Sequence, residues 1–142
     1  MNYQSIRAKI EGPLIAAFND QVPSIPVYVD NVTAVPPDAP KEYVRINVTF
    51  GLTTESTLTS SLDYVRGALI IRCFAAKNAG PARAQEMIKI AADVLQALNA
   101  TGKTSTLTYV RTGRIDGPKF LQSDTSEHFM ARIDTGWQAS VK

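Results

Sequence analysis

The sequence is poor in the residues that most often carry chemistry, because it holds a single cysteine, Cys73, and a single histidine, His128. One cysteine excludes an intrachain disulfide and is typical of a reducing compartment. Together, one cysteine and one histidine are too few for an ordinary zinc site. Cys73 lies in an apolar run and is predicted to be a buried structural thiol. His128 lies in a polar segment and is predicted to be a solvated loop residue.

Long hydrophobic runs and runs of like charge are also missing. The longest apolar stretch, residues 67–71, is the size of a strand and far short of the ~20 residues of a membrane span. The formal net charge is +2 and the charges are scattered. The total therefore predicts no strong attraction to nucleic acid or to an anionic membrane. The N-terminal segment lacks the apolar core of a signal peptide, so we expect a cytoplasmic protein without a membrane partner.

The rest of the composition is that of one folded domain. The 142 residues are 44% hydrophobic and 20% charged, which are ordinary values for a globular protein. No internal repeat or long linker divides the chain. Residues 1–142 are therefore predicted to form a single domain.

Two segments have the three- and four-residue apolar spacing of amphipathic helices. In the first, the stripe runs from Ile6 to Phe18, and Pro13 within it predicts a kink. The second follows Pro81, which suits a first helical turn, and ends near residues 99–102. Its apolar stripe consists of Met87, Ile88, Ala91, Ala92, Leu95 and Leu98.

Alternation of apolar and polar residues predicts strands elsewhere in the chain. Residues 43–52 alternate over their whole length, and the predicted buried side consists of Val44, Ile46, Val48, Phe50 and Leu52. The other long strand candidates are residues 62–76, 105–113 and 129–141. A short strand at residues 27–29 is flanked by prolines, which favours the edge of a sheet.

The connections between these elements are polar. Three segments are predicted to be loops: residues 34–41, 53–61 and 113–127. In the last of them, Gly113, Gly117 and Pro118 act as breakers. The resulting order of elements predicts an α+β fold, with a largely antiparallel sheet of about four to five strands and two helices packed on one face.

Two groups of residues are candidates for an interface. The strand at residues 62–76 has bulky side chains on both faces, so its second face either lies beneath the helices and loops or meets another subunit. The predicted loop at residues 113–127 carries basic and apolar side chains. The basic side chains are either solvated or contact an acidic partner or DNA phosphates. The apolar side chains either anchor the loop or contact a neighbouring subunit. The candidate interface residues are Tyr64, Arg66, Arg72, Phe74, Arg111, Arg114, Lys119, Phe120 and Leu121.

No catalytic arrangement is predicted. Asp124, Ser126 and His128 are close neighbours in one polar segment, and the sequence offers no oriented base or oxyanion site around them. Residues 102–104 match the end of a phosphate-binding loop. However, Ala97 stands where that motif needs its first glycine, and the order of helix and strand is reversed. We therefore expect a protein that is not an enzyme.

In the order and residue patterns of these segments, the chain resembles the tail-terminator and tail-completion proteins of long-tailed bacteriophages. The matching segments are IRAKIEGPLIAAF, VYVDN, YVRINVTFGL, RGALIIRCFAA, GPARAQEMIKIAADVLQAL and ARIDTGWQASV, which cover nearly the whole chain. The resemblance implies a subunit of a ring, usually a homohexamer, at the head-proximal end of the tail. Such a ring ends polymerisation of the tail tube protein and presents a surface to the head connector, while DNA passes through its lumen without sequence-specific binding.

The resemblance further implies a virion protein with no cofactor, no metal and no catalytic residue. A charge close to neutral agrees with a pore that does not hold DNA tightly. Two alternatives remain open: a head-completion or neck adaptor protein one layer higher, and a small non-catalytic ligand-binding module. Formation of a ring with an axial pore would separate the assembly proteins from the binding module. A deep polar pocket around His128 or Cys73 would favour an enzyme.

Overall fold

The computed structural model describes residues 3–21, 24–32, 42–54, 63–76, 80–101, 108–122 and 128–141. Its elements are α1 (Tyr3–Asn19), β1 (Val27–Tyr28), β2 (Tyr43–Thr54), β3 (Asp63–Ala76), α2 (Ala82–Thr101), β4 (Thr108–Gln122) and β5 (His128–Val141). The strands form one sheet in the order β1-β2-β3-β5-β4. β1 pairs with β2 in parallel, and the other neighbours are antiparallel. The predicted α+β fold is therefore confirmed.

Both helices pack on one face of the sheet and bury an aliphatic core there. α1 contributes Ile6, Ile10, Leu14 and Phe18, at the four-residue spacing that places them on one side of a helix. α2 contributes Ala84, Met87, Ile88, Ala91 and Leu95. Alternate residues of the long strands complete the core, each large aliphatic side chain contributing about 1.5–3 kcal/mol on full burial. We call this side of the sheet the covered face and the opposite side the open face.

The course of β4 contradicts the loop predicted at residues 113–127. The strand runs on to Gln122, because bulges absorb the residues that would interrupt a regular ladder. In the first bulge, Gly113 and Arg114 together oppose Gly136. The alternation of β4 is thereby shifted, and Arg114 is directed to the open face.

A second bulge follows four residues later in the same strand. Gly117 and Pro118 together oppose Ile133 of β5. Gly117 has a φ angle of 120°, and a Cβ added there would lie 2.8 Å from the carbonyl oxygen of Arg132. Only glycine fits such a position without strain. The end of the predicted loop, residues 123–127, lies outside the described residues.

β2 contains a similar irregularity. Gly51 and Leu52 together oppose Arg66 of β3, so the alternation changes after Phe50. Leu52 was predicted on the buried side of the strand, but it is 73% exposed. The prediction was wrong because alternation within one strand does not reveal a bulge.

Both margins of the sheet are irregular. β1 is an edge strand, as predicted, but it covers two residues where three were expected, and beyond it side chains contact the edge of β2. Asp30 accepts a hydrogen bond from the backbone N–H of Val48 at 2.9 Å, and Arg7 donates one to the carbonyl oxygen of Val48 at 3.2 Å. At the other margin, the bulges interrupt β4. Natural sheets use such devices to protect their edges from further pairing.

The remaining expectations concern α1 and the loops. α1 continues through Pro13 as one helix, whose prolyl residue is exposed. The predicted loops at residues 34–41 and 55–61 lie outside the described residues, and residues 53 and 54 belong to β2. Among the described helices, neither has a stretch that is long and apolar enough to cross a membrane.

Candidate binding surface on the open face of the sheet

The interface residues predicted from the sequence all lie on β3 and β4, and all but Phe120 face away from the helices. The second face of β3 is therefore not beneath the helices. Phe120 lies on the covered face at the margin of the sheet, where its ring stacks on Phe129 with centroids 5.7 Å apart. Leu121 follows it on the open face and is 54% exposed. Both residues belong to a strand, where the sequence predicted a loop.

An apolar row crosses the open face at the end of the sheet where β3 finishes. It consists of Tyr43, Phe74, Met130 and Leu121, which are consecutive cross-strand partners on β2, β3, β5 and β4. The rings of Tyr43 and Phe74 stack with centroids 4.3 Å apart. Tyr28 of β1 contacts Tyr43 edge-on at 5.9 Å. These aromatic rings are half-buried, so part of their surface is exposed to solvent.

His128 lies beside this row and contradicts the prediction of a solvated loop residue. It is the first residue of β5 and is 7% exposed. Its ring meets the rings of Tyr43 and Phe74 edge-on, with centroids 5.1 and 6.4 Å apart. The position follows from extending the alternation of β5 by one residue, a signal present in the sequence. The histidine therefore belongs to an aromatic cluster.

A basic row crosses the sheet beside the apolar row. It consists of Arg45, Arg72, Arg132 and Lys119, again as consecutive cross-strand partners. Neighbouring strands are about 4.8 Å apart, and like charges directly opposite each other destabilise a sheet. Burial, and next the neighbouring Arg132, lower the pKa of Arg72. Ion pairs compensate one end of the row, where Arg132 contacts Asp134 at 2.7 Å and Lys119 contacts Asp116 at 3.1 Å.

A chain of hydrogen bonds passes from α1 around the margin of the sheet to the basic row. Arg7 donates to Glu11 at 2.8 Å and to Asp30 at 2.7 Å. Asn47 donates to Asp30 at 2.7 Å and accepts from Arg72 at 2.6 Å. Burial raises the pKa of Asp30, but the hydrogen bonds that its carboxylate accepts outweigh this effect and hold the pKa below its usual value.

A furrow with arginines along its walls crosses the open face beyond the basic row. We call it the arginine furrow, and its main lining residues are Tyr64, Arg66, Arg111, Arg114, Gly136 and Gln138. Its volume is about 1130 Å³. Gly113 and Gly136, which have no side chains, leave a gap there between longer side chains. The structure thus brings Tyr64, Arg66, Arg111 and Arg114 together.

Cys73 lies on the covered face and is fully buried. Burial raises the pKa of its thiol to about 12, so the thiolate that acts as a nucleophile is disfavoured at neutral pH. The predicted burial of this thiol is confirmed. Within the described ranges, no three histidine, cysteine or acidic residues are grouped so that they could hold a metal ion.

Several residues of this surface were missed by the sequence analysis, namely Tyr43, Arg45, Asn47, Met130, Arg132 and Gln138. Each occupies a polar or second-face position of a strand whose alternation was recognised. What was missing was the order of the strands, because β5 lies between β3 and β4. That order decides which of these side chains become neighbours.

Comparison with known proteins identifies the fold alone. No protein-family model matches the chain, and no curated protein does so either. Several solved structures match, among them that of a protein whose name states no activity or partner, with a TM-score of 0.64 and 21% sequence identity. The match covers 98% of this chain and 96% of that one. The same α+β architecture therefore exists in a protein of distant sequence.

Proposed function

We propose that this chain is a structural protein of a long-tailed bacteriophage that forms a ring at the head-proximal end of the tail. In this role it ends polymerisation of the tail tube and offers a surface to the head connector, while DNA passes through the ring. The observation that carries the proposal is the apolar row on an open sheet face, in a chain whose segments resemble tail-terminator proteins. An open face of this kind suits an assembly subunit better than a free monomer.

The composition of the apolar row supports its use as a contact between protein subunits. Tyrosine, phenylalanine, methionine and arginine are enriched in interfaces, and the apolar row lies directly beside the basic row. Leu121 is more than half exposed at one end of the apolar row, and Tyr64 is 40% exposed elsewhere on the same face. Burial of such side chains stabilises association, because it removes apolar area from water.

A ring also needs a second, different patch on each subunit, because cyclic contacts join unlike surfaces head to tail. The outward side of α1 is suitable. It presents Ala8, Gly12, Ile15 and Ala16, which are uncharged and exposed. Ile15 is 40% exposed, and the space around Gly12 is open. We therefore propose that the apolar row of one copy contacts the outward side of α1 in the next copy.

The environments of the cysteine and the histidine favour a structural role over a catalytic one. Cys73 is enclosed in the covered core, and His128 is packed among aromatic rings. A nucleophile or general base has to reach its substrate. The burial of both side chains therefore supports the structural role proposed here.

The proposal is tested by measuring the mass of the full chain in solution over a range of concentrations and by negative-stain imaging. We expect rings with an axial pore, formed alone or on the ends of tubes made from the cognate tube protein. Added during polymerisation, the protein should also shorten those tubes. A chain that remains monomeric and leaves tube length unchanged at excess would overturn the proposal.

A pair of variants tests the assigned contact. Leu121→Asp places a charge at the exposed end of the apolar row and should abolish ring formation while the monomer stays folded. Gln96→Asp makes the same kind of change on the exposed side of α2 and should leave assembly intact. If Leu121→Asp forms rings as well as Gln96→Asp does, the apolar row is not a subunit contact.

A further inference from the structure

The arginines of the arginine furrow differ from most other arginines of the molecule in their partners. Arg7, Arg83 and Arg132 each contact a carboxylate, at 2.7, 2.5 and 2.7 Å respectively. Arg66, Arg111 and Arg114 are exposed and make no ion pair with any described residue. The lining of the furrow, as far as the structure describes it, contains no carboxylate. Within the described part of the chain, therefore, no carboxylate occupies these three guanidinium groups, although Arg114 also borders the neighbouring depression that contains Asp116 and Asp134.

The shape of the furrow suits an extended polyanion. Arg66 and Arg111 both pair with Gln138 of β5, so they lie two strands apart, which corresponds to about 10 Å. Gly136, which has no side chain, lies in the lining together with Arg114. An extended chain that crosses the strands can therefore meet several arginines along its length.

The charged residues around the furrow add a positive electrostatic potential that acts over a longer range. The open face carries the cations Arg45, Arg66, Arg72, Arg111, Arg114, Lys119 and Arg132 against only Asp116 and Asp134 among the described residues. The net charge of the whole chain is +2, so the total hides this concentration of positive charge. Charge gathered on one face attracts a polyanion even when the total is small.

The residues that line the furrow suit a phosphate backbone better than an acidic protein. A protein partner usually docks through aromatic and aliphatic anchors, and those of the open face are concentrated in the apolar row. The furrow instead offers arginine, glutamine, serine and glycine, with Tyr64 as its exposed aromatic side chain. Arginine forks match phosphate oxygens, and an exposed ring can stack on a base. We propose that the arginine furrow binds the phosphate backbone of nucleic acid without reading its sequence.

This inference goes beyond the proposed ring function and does not depend on it. Binding can be measured by fluorescence anisotropy of the full chain with labelled duplex and single-stranded DNA of unrelated sequences. We expect unrelated sequences to bind equally, with an affinity that falls between 50 and 200 mM salt about 40-fold for the duplex and about 20-fold for the single strand if three phosphates are contacted. The form that binds more tightly, duplex or single strand, identifies the source of the phosphates.

Matched double variants locate the site. Arg111→Gln/Arg114→Gln should lower the affinity at 50 mM salt at least tenfold and reduce the slope of log K against log salt by about two. Lys9→Gln/Lys89→Gln removes the same charge from the helices and should leave the slope nearly unchanged. Equal slopes for the two double variants, or no binding by the unmodified chain at 50 mM salt, would overturn the inference.

Competition and assembly separate this inference from the proposed function. Polyglutamate that displaces the DNA at equal charge concentration would make the furrow a site for acidic protein segments, and the inference would be wrong. Loss of ring formation in Arg111→Gln/Arg114→Gln with unchanged DNA affinity would make the furrow a subunit contact, which also contradicts it. Rings that form normally while DNA binding is lost would support both statements.

Discussion

The two faces of the sheet are built from alternate residues of the same strands, yet they are specified in different ways. On the covered face, residues such as Leu69 and Ile71 are fully buried, and their position follows from alternation within their own strand. On the open face, Arg72 and Arg132 become neighbours only through the pairing of β3 with β5. The covered face therefore contributes most of the stability, and the open face holds the surface for which we propose a role in recognition.

Adjacent isoleucines in β3 give the strongest test of this comparison. Ile71 is fully buried on the covered face, and Ile70 is half-buried on the open face. We expect Ile71→Ala to lower the free energy of unfolding by about 2–5 kcal/mol, because it leaves a cavity in the core. Ile70→Ala should cost about 1 kcal/mol, because less area is lost from burial. Equal losses in urea denaturation would show that the open face is covered in the folded monomer.

Substitution of Asp30 tests how much the margin of the sheet, where the two faces meet, contributes to stability. Asp30→Asn removes the charge that Arg7 contacts and should cost about 1.5–3 kcal/mol at neutral pH. Because the pKa of Asp30 is lowered on folding, its contribution is present above about pH 4 and is lost as the pH falls through the lowered folded-state value. Unfolding free energies from pH 7 to pH 2 should therefore fall less steeply for Asp30→Asn than for the unmodified chain. Asp20→Asn, at an exposed carboxylate beyond α1, is the control and should cost less than about 0.5 kcal/mol.

Cys73 provides a chemical probe of the covered face. Its buried thiol, with a pKa raised to about 12, should resist alkylation in the folded protein at pH 8 and react readily in urea. Cys73→Ser should cost roughly 1–2 kcal/mol, because it places a hydroxyl among apolar side chains. Rapid labelling of the folded protein would mean that the covered core opens easily. A fully stable variant with a selective loss of function would contradict the structural role.

The smallest expected effect concerns the basic row. Arg45 directly opposes Arg72, so Arg45→Gln should leave stability unchanged or raise it by a few tenths of a kcal/mol at low salt. The difference from the unmodified chain should shrink at 0.5 M salt, where surface charges are screened. A clear loss of stability would mean that Arg45 makes a stabilising contact, and the basic row would then not be explained by recognition.

The elements that were predicted correctly from the sequence are those whose periodic apolar residues are buried in the core. The stripe of α2 and the alternation of β5 both point side chains such as Leu95, Ile133 and Trp137 inward. Gly67 shows why Trp137 fits, since an added Cβ there would lie 2.5 Å from its ring. Such patterns depend on the period of one element and can be read without knowing its neighbours.

The parts that the sequence did not predict depend on relations between strands. Gly113 and Gly117 resemble loop breakers in isolation, but pairing with β5 retains them as bulges. The arginine furrow likewise has no local signature, because Arg66 and Arg111 are far apart in the chain and meet through Gln138 of β5. The net charge of +2 gives no sign of the positive charge on the open face, since a sum over the chain does not record which face holds the charge.

The irregular margins of the sheet have a consequence for how copies of the chain join. Side chains of Arg7 and Asp30 hold the backbone of β2 at Val48, and bulges break the ladder along β4. An incoming strand therefore finds no straight template at these positions, and the sheet is not readily continued from one molecule into another. Growth of a continuous cross-β fibre, which needs strand-to-strand pairing between molecules, is therefore disfavoured at these two margins.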